Sequence, residues 1–128
     1  MKDLEALIKA AATNGSEPEY QETFIYCEAM KISPEAFCNE FSIVVAKSFQ
    51  QGALDYNYCN EAMNYLWGFI TTPPVFGPDK DIPEPAFSVY KAFDEGEILH
   101  KGDSAETDPI EKYTKPIITE ILSRAEAS

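Results

Sequence analysis

The sequence is poor in positive charge and has only one histidine. Among its 128 residues, ten Lys and Arg stand against 22 Asp and Glu, so the formal net charge is −12. A charge of this size repels nucleic acid and anionic membrane surfaces, and it attracts basic proteins over a long range. We therefore expect no binding to nucleic acid, no association with a membrane, and a basic protein as the partner.

Long apolar runs are missing as well. The longest, at residues 43–46 and 65–70, fall far short of the ~20 residues that a membrane-spanning helix needs. The first residues, MKDLEALIKAAA, place Asp3 and Glu5 where a secretory signal has its apolar core. These two features predict a cytoplasmic protein.

Catalytic and metal-binding motifs are largely absent. The three cysteines, Cys27, Cys38 and Cys59, contain no CxxC pair and lie among apolar neighbours, which predicts reduced thiols in the core. His100 has no cysteine at ligand spacing, so no zinc site is expected, and it is interpreted as a loop residue. No GxSxG elbow, phosphate-binding glycine loop or HExxH pair occurs. We therefore predict that the protein is not an enzyme and has no cofactor.

Apolar residues recur at helical spacing through most of the chain, which predicts an all-α fold. We expect residues 1–128 to form one domain, a bundle of five to six helices in which the third and fourth helices are the most buried. The predicted helices cover about 3–13, 17–31, 34–51, 55–70, 85–95 and 108–124. Helix starts are indicated by capping signals at Ser16, Ser33, Asp55 and Asp108, and Pro116 must bend or restart the last helix.

One long proline-rich loop interrupts this helical pattern at residues 71–85, which hold five of the nine prolines. Val75 and Phe76 are apolar within this otherwise polar loop. We favour an interpretation in which they plug into the core; the alternative is an exposed anchor for a partner. The only short extended segment that the pattern allows is EILH at residues 97–100.

The acids are concentrated in two segments. Residues 79–111 contain ten acids and three lysines, residues 16–40 contain six acids and one lysine, and the rest of the chain is neutral overall. Four of the acids have an adequate role near predicted helix N-termini, namely Glu19, Asp55, Asp108 and Glu111.

Asp94 and Glu95 are different, because they fall in the last turn of the fifth predicted helix, next to Gly96. Carboxylates are unfavourable at this negative end of a helix, and Glu97 adds repulsion. Three interpretations are open. The acids form an ordinary solvated surface, a docking surface for a basic protein, or, together with Asp103, a site for Mg²⁺ or Ca²⁺ that lacks EF-hand spacing.

The spread of charge favours the docking surface, because it is too diffuse for one metal ion. The apolar anchor of such a surface would be Phe76. The predicted acidic contacts are Asp79, Asp81, Asp94, Glu95, Glu97, Asp103 and Glu106.

The segment FDEGE at residues 93–97, followed by DPIEKYTKPII at residues 108–118, resembles segments of bacterial immunity proteins. These small acidic proteins neutralise a cognate toxin, often a basic nuclease, in colicin-type or contact-dependent growth inhibition systems. The resemblance covers about the C-terminal third of the chain. It implies that the chain binds and inhibits a cationic toxin domain. Two other functions stay open: a carboxylate-based divalent-metal enzyme, and a non-catalytic adaptor or regulatory subunit.

Overall fold

The computed structural model describes residues 3–72, 75 and 81–127. These residues form six α-helices and one π-helical turn, with no strand among them, so the predicted all-α bundle of five to six helices is confirmed. The helices are α1 (Leu4–Ala12), α2 (Tyr20–Met30), α3 (Pro34–Gln50), α4 (Tyr56–Ile70), α5 (Ala86–Glu95) and α6 (Lys115–Ala127). The π-helical turn, Ile110–Thr114, leads directly into α6.

Helices α3 and α4 form the centre of the bundle, as predicted. Each contributes six buried side chains, more than α1, α2 or α5. Helix α4 packs against α1, α3 and α5, which explains why apolar residues occupy more than one of its faces. The largest fully buried side chains include Phe37, Phe41, Met63, Phe69 and Phe93.

Two of the predicted helix starts have the expected geometry. The Ser33 hydroxyl accepts from the amide of Ala36 at 3.1 Å, and an Asp55 carboxylate oxygen accepts from the amide of Tyr58 at 2.8 Å. Each bond satisfies an amide that the first turn of a helix leaves without a partner.

The capping box predicted at Ser16 is wrong. Helix α2 starts only at Tyr20, and its N-cap is Glu19, whose side chain makes no capping bond. The Glu17 carboxylate instead accepts from the amide of Gly15 at 3.1 Å. A helix capped by Ser16 would require Glu17 to be helical, and that conformation is disfavoured because Pro18 follows it.

Pro116 restarts the last helix through the π-helical turn. Proline has no amide hydrogen and its ring crowds the carbonyl four residues earlier, so regular α-helical bonding cannot run through this position. The amide of Lys115 reaches back five residues to the carbonyl of Ile110, which is the wider bonding of a π-helix. Asp108 starts the segment as predicted, because its carboxylate accepts from the amide of Ile110 at 3.0 Å.

Val75 is completely buried and donates its amide hydrogen to the carbonyl of Thr72 at 3.1 Å. The interpretation of Val75 as a plug in the core is therefore confirmed. Phe76, which was assigned the same role, lies outside the described residues.

The three cysteines are free and buried, as predicted. Burial raises the pKa of the Cys27 thiol to about 11 and that of the Cys59 thiol to about 12, and it raises the pKa of the Cys38 thiol further. Thiolates, the reactive form, are therefore disfavoured at all three positions. Within the part of the chain that the structure describes, no helix has the length and apolar character needed to cross a membrane.

Candidate docking surface

Helix α5 ends at Gly96, as predicted, and this glycine is needed for packing rather than for a left-handed backbone. Its φ is −84°, which any residue can adopt. Gly96 is buried, and a Cβ atom added to it would lie 2.2 Å from Thr114 Oγ1 and 3.0 Å from Tyr56 Cε1. Only glycine therefore lets the end of α5 approach α4 and the π-helical turn this closely.

Glu95 has partners within the chain. His100 Nε2 lies 2.9 Å from a Glu95 carboxylate oxygen and 3.1 Å from the Glu95 carbonyl oxygen. Lys91 Nζ lies 4.0 Å from the other carboxylate oxygen. His100 is thus a loop residue, as predicted, but it also donates to the end of α5. The two neighbours reduce the unfavourable effect of Glu95 at this negative helix end.

Glu97 is exposed and is tied to α4. One of its carboxylate oxygens accepts from Asn60 Nδ2 at 2.7 Å. Asp94 is half-buried, and its charge acts on Tyr56 of α4 and on Tyr90 of α5. Burial, with smaller contributions from the charges of Glu97 and Asp94, raises the pKa of Tyr56 to about 12. The Tyr56 hydroxyl donates to the Phe93 carbonyl, which also holds the end of α5 against α4.

The Asp103 side chain is only 2% exposed, and several polar groups surround it. It forms a salt bridge with Lys112, and it accepts from the Tyr113 hydroxyl at 2.7 Å and from the His100 amide at 3.0 Å. These hydrogen bonds, from Lys112 first and then from Tyr113 and the His100 amide, lower the pKa of Asp103 to about 2. Asp103 therefore holds the loop in place, and little of its carboxylate can be reached from solvent.

We use the name acidic loop for residues 96–109, which connect α5 to the π-helical turn. Within it, the amide of Asp103 donates to the His100 carbonyl at 3.0 Å, and Gly102 takes the left-handed conformation with φ +93°. The His100 ring stacks on the Tyr113 ring with their centroids 4.0 Å apart. The loop is thus fastened to α4, to the end of α5 and to the π-helical turn.

Two large apolar side chains of the acidic loop point into solvent. Ile98 is 70% exposed and Leu99 is 43% exposed, although the residues before and after them are tied down. Sequence reasoning missed both of them and treated EILH as a segment that could be extended. The adjacent pair Ile98 and Leu99 beside Glu97 was the available signal, because two successive large apolar residues next to an acidic cluster are unusual on a surface.

The other predicted contacts are distributed as follows. Asp81, before α5, and Glu106, in the acidic loop, are exposed. Asp79 lies outside the described residues, as Phe76 does. The structure therefore places Asp94, Glu95 and Glu97 at one helix end, and it connects Asp103 to them through His100.

In the described ranges 3–72, 75 and 81–127, no group of three or more His, Cys, Asp or Glu side chains has the arrangement to hold a metal ion. An open cleft of about 430 Å³ lies outside the docking surface, between α1, α2 and α4, and Glu17, Glu19 and Glu61 contribute to its lining. The Tyr65 hydroxyl in that cleft is already within 2.8 Å of the Thr23 hydroxyl.

Comparisons with protein-family models, with curated proteins and with solved structures gave no significant match. The function must therefore be inferred from the geometry and the charge of this chain.

Proposed function

We propose that this chain is a small non-catalytic inhibitor of the immunity type, which binds a basic toxin domain through the end of α5 and the acidic loop. One observation carries the proposal. Asp94, Glu95 and Glu97 lie together on a backbone that is fixed by the buried Gly96, by the Asn60 bond and by the contacts of His100.

Fixed carboxylates suit a docking surface for two physical reasons. A rigid surface loses less conformational freedom when it binds, so more of the interaction energy remains as affinity. A concentrated negative charge also accelerates the arrival of a basic protein, and this acceleration declines as salt is added. Lysines or arginines of the partner would also relieve the repulsion that remains at the negative end of α5.

The divalent-metal alternative is less well supported. It requires Asp94, Glu95, Glu97 and Asp103 to share one ion through free carboxylate oxygens. The Asp103 carboxylate is already occupied by Lys112 and Tyr113, and Glu95 and Glu97 each have a partner of their own. A hydrogen-bonded framework of this kind favours a role in shaping the loop.

The test begins with the reading frame upstream of the gene for this chain. We expect it to encode a large secreted protein with a basic C-terminal toxin domain, and a neighbour of another kind would contradict the toxin assignment. That domain, catalytically disabled and purified, is then mixed with this protein, and the association rate is measured at low and high salt.

The informative variant is Asp94→Asn/Glu95→Gln/Glu97→Gln. We expect its association rate at low salt to decrease about tenfold or more, with a weaker salt dependence, because the steering charge is removed. The matched control is Glu22→Gln/Glu28→Gln/Glu40→Gln, which removes the same amount of charge from exposed positions in the other acidic segment. Equal effects of the two variants, or no effect of the first, would contradict the proposed docking surface.

A further inference from the structure

We infer that Ile98 and Leu99 are the apolar anchor of this docking surface, and that they fit a partner whose basic surface surrounds an apolar patch. This inference rests on the proposed function and names the part of the surface that supplies most of the affinity. Surface charges chiefly change the rate of encounter, whereas a few desolvated apolar contacts usually dominate the binding energy.

The exposure of the pair is the first step. Ile98 and Leu99 are adjacent and are 70% and 43% exposed. Other large apolar residues in the described parts are also exposed, notably Ile25 at 57% and Met30 at 52%, but these are five residues apart on α2. Isolated apolar residues are normal on protein surfaces, whereas neighbouring ones form a patch that a partner can cover.

The framework around the pair is the second step. Before it, Gly96 is buried against Thr114 and Tyr56, and Glu97 is bonded to Asn60. After it, His100 is stacked on Tyr113 and bonded to Glu95. The backbone that carries the two apolar side chains is therefore already ordered, so binding loses little conformational entropy at this position.

The surrounding charge identifies the class of occupant. Glu97 precedes Ile98 directly, and Asp94 and Glu95 lie at the adjoining helix end. A second copy of this chain would bring the same carboxylates against one another, with a net charge of −12 on each copy. A surface rich in lysine and arginine pairs with these carboxylates instead, which favours a basic protein over self-association.

The experiment uses two synthetic peptides as probes. The basic-apolar peptide carries Leu-Trp-Leu between two clusters of Lys and Arg, and the basic-polar peptide replaces that centre with Ser-Gly-Ser. Binding to the full chain is followed by calorimetry and by backbone amide chemical shifts. We expect the basic-apolar peptide to bind at least about tenfold more tightly and to shift the amides of Ile98 and Leu99, because burial of an apolar side chain contributes that much.

The double substitution Ile98→Ser/Leu99→Ser should abolish this tenfold preference while keeping the salt dependence. Ile25→Ser is the matched control, since it removes a similarly exposed isoleucine from α2, and it should retain the preference. The anchor is overturned if both variants lose the preference equally, or if Ile98→Ser/Leu99→Ser keeps it.

The remaining outcomes separate the anchor from the proposed function. Salt-dependent binding of both peptides with equal affinity overturns the anchor and leaves the acidic docking surface intact. A preference that requires Ile98 and Leu99 but ignores salt and the three-acid variant supports the anchor and contradicts the acidic surface. Binding of neither peptide overturns both. A dimer seen by sedimentation, and lost in Ile98→Ser/Leu99→Ser, overturns the basic occupant.

Discussion

Glu28 and Glu95 occupy comparable positions in two different helices, but the groups around their carboxylates differ. Both lie in the last turn, Glu28 in α2 and Glu95 in α5, where the helix end is negative. Glu95 has His100 at 2.9 Å and Lys91 at 4.0 Å. For Glu28, no salt bridge within 4.0 Å joins it to another residue in the described parts of the chain.

The difference teaches that position on a helix does not by itself determine what a carboxylate contributes. The acidic loop folds back over the end of α5 and supplies a partner, whereas the chain after α2 turns away through Lys31 in the left-handed conformation, with φ 57°. The end of α5 and the acidic loop therefore hold Glu95, Glu97 and Asp103 against partners of their own chain. Helix α2 instead presents Glu22 and Glu28 as exposed side chains.

The largest expected effect comes from Gly96→Ala, which crowds the end of α5. The new Cβ would lie 2.2 Å from Thr114 Oγ1, so we expect the free energy of unfolding to decrease by about 1–3 kcal/mol, as is usual for overpacking. Urea denaturation measures this decrease. On α2, Ile25→Ser should change the stability by less than about 0.5 kcal/mol because the side chain is exposed.

A double-mutant cycle locates the cause of that decrease. Thr114→Ala alone also destabilises, because the Thr114 hydroxyl donates to the Ala92 carbonyl at 2.7 Å. The double variant should lose less stability than the sum of the two single variants, because the clash with Oγ1 is gone. Full additivity would show that Gly96 is not required by the contact with Thr114.

An intermediate decrease in stability is expected from Asp103→Asn. This substitution removes the negative charge to which Lys112, Tyr113 and the His100 amide donate. The pKa of Asp103 is lowered from the ordinary 3.8 to about 2 in the folded chain. The carboxylate therefore stabilises the fold above the ordinary pKa, and this contribution is lost as the pH falls through about 2.

The difference in the free energy of unfolding between wild type and Asp103→Asn should be largest at neutral pH. It should decrease as the pH falls from about 4 to about 2. Urea midpoints across that range measure it. The comparison variant Ile25→Ser on α2 removes no titratable group, so its stability difference from wild type should show no such decrease. A difference for Asp103→Asn that stays constant with pH would contradict the assignment.

The smallest effect tests the two helix ends directly. Glu28→Gln should stabilise the protein by about 0.3–1 kcal/mol at low ionic strength, since it removes a carboxylate from the negative end of α2, and added salt should weaken the gain. Glu95→Gln should give no gain, because removing the charge weakens the hydrogen bond from His100 and abolishes the attraction of Lys91. Thermal unfolding at two salt concentrations distinguishes them, and equal stabilisation by both variants would remove the distinction.

Local features of the fold were readable from the sequence. Ser33 and Asp55 correctly indicate helix starts, because a capping bond joins residues only three positions apart in the sequence. Ser16 misled because the restriction that Pro18 imposes on Glu17 outweighs a matching cap pattern. The end of α5 at Gly96 was predicted, but its physical reason was not, since the crowding by Thr114 and Tyr56 involves residues far away in sequence.

The charge of the candidate site was predictable from the sequence, but its hydrogen bonds and salt bridges were not. Asp94, Glu95 and Glu97 are visible as an acidic cluster in the sequence. The role of Asp103 depends on Lys112 and Tyr113, which reach it only because the chain folds back across the acidic loop. The exposure of Ile98 was hidden for the same reason, because burial is decided by which neighbours the fold supplies.

The π-helical turn sets the rotational phase between two parts of one continuous helical segment. Tyr113, within the turn, faces Asp103, while Ile118 and Leu122 of α6 are buried in the core. An α-helix advances by about 100° per residue, and a π-helical turn contains one more residue than an α-helical turn. Deletion of one residue from 110–114 would therefore rotate one part against the other by about 100°, so that either the acidic loop or the core would lose its contacts.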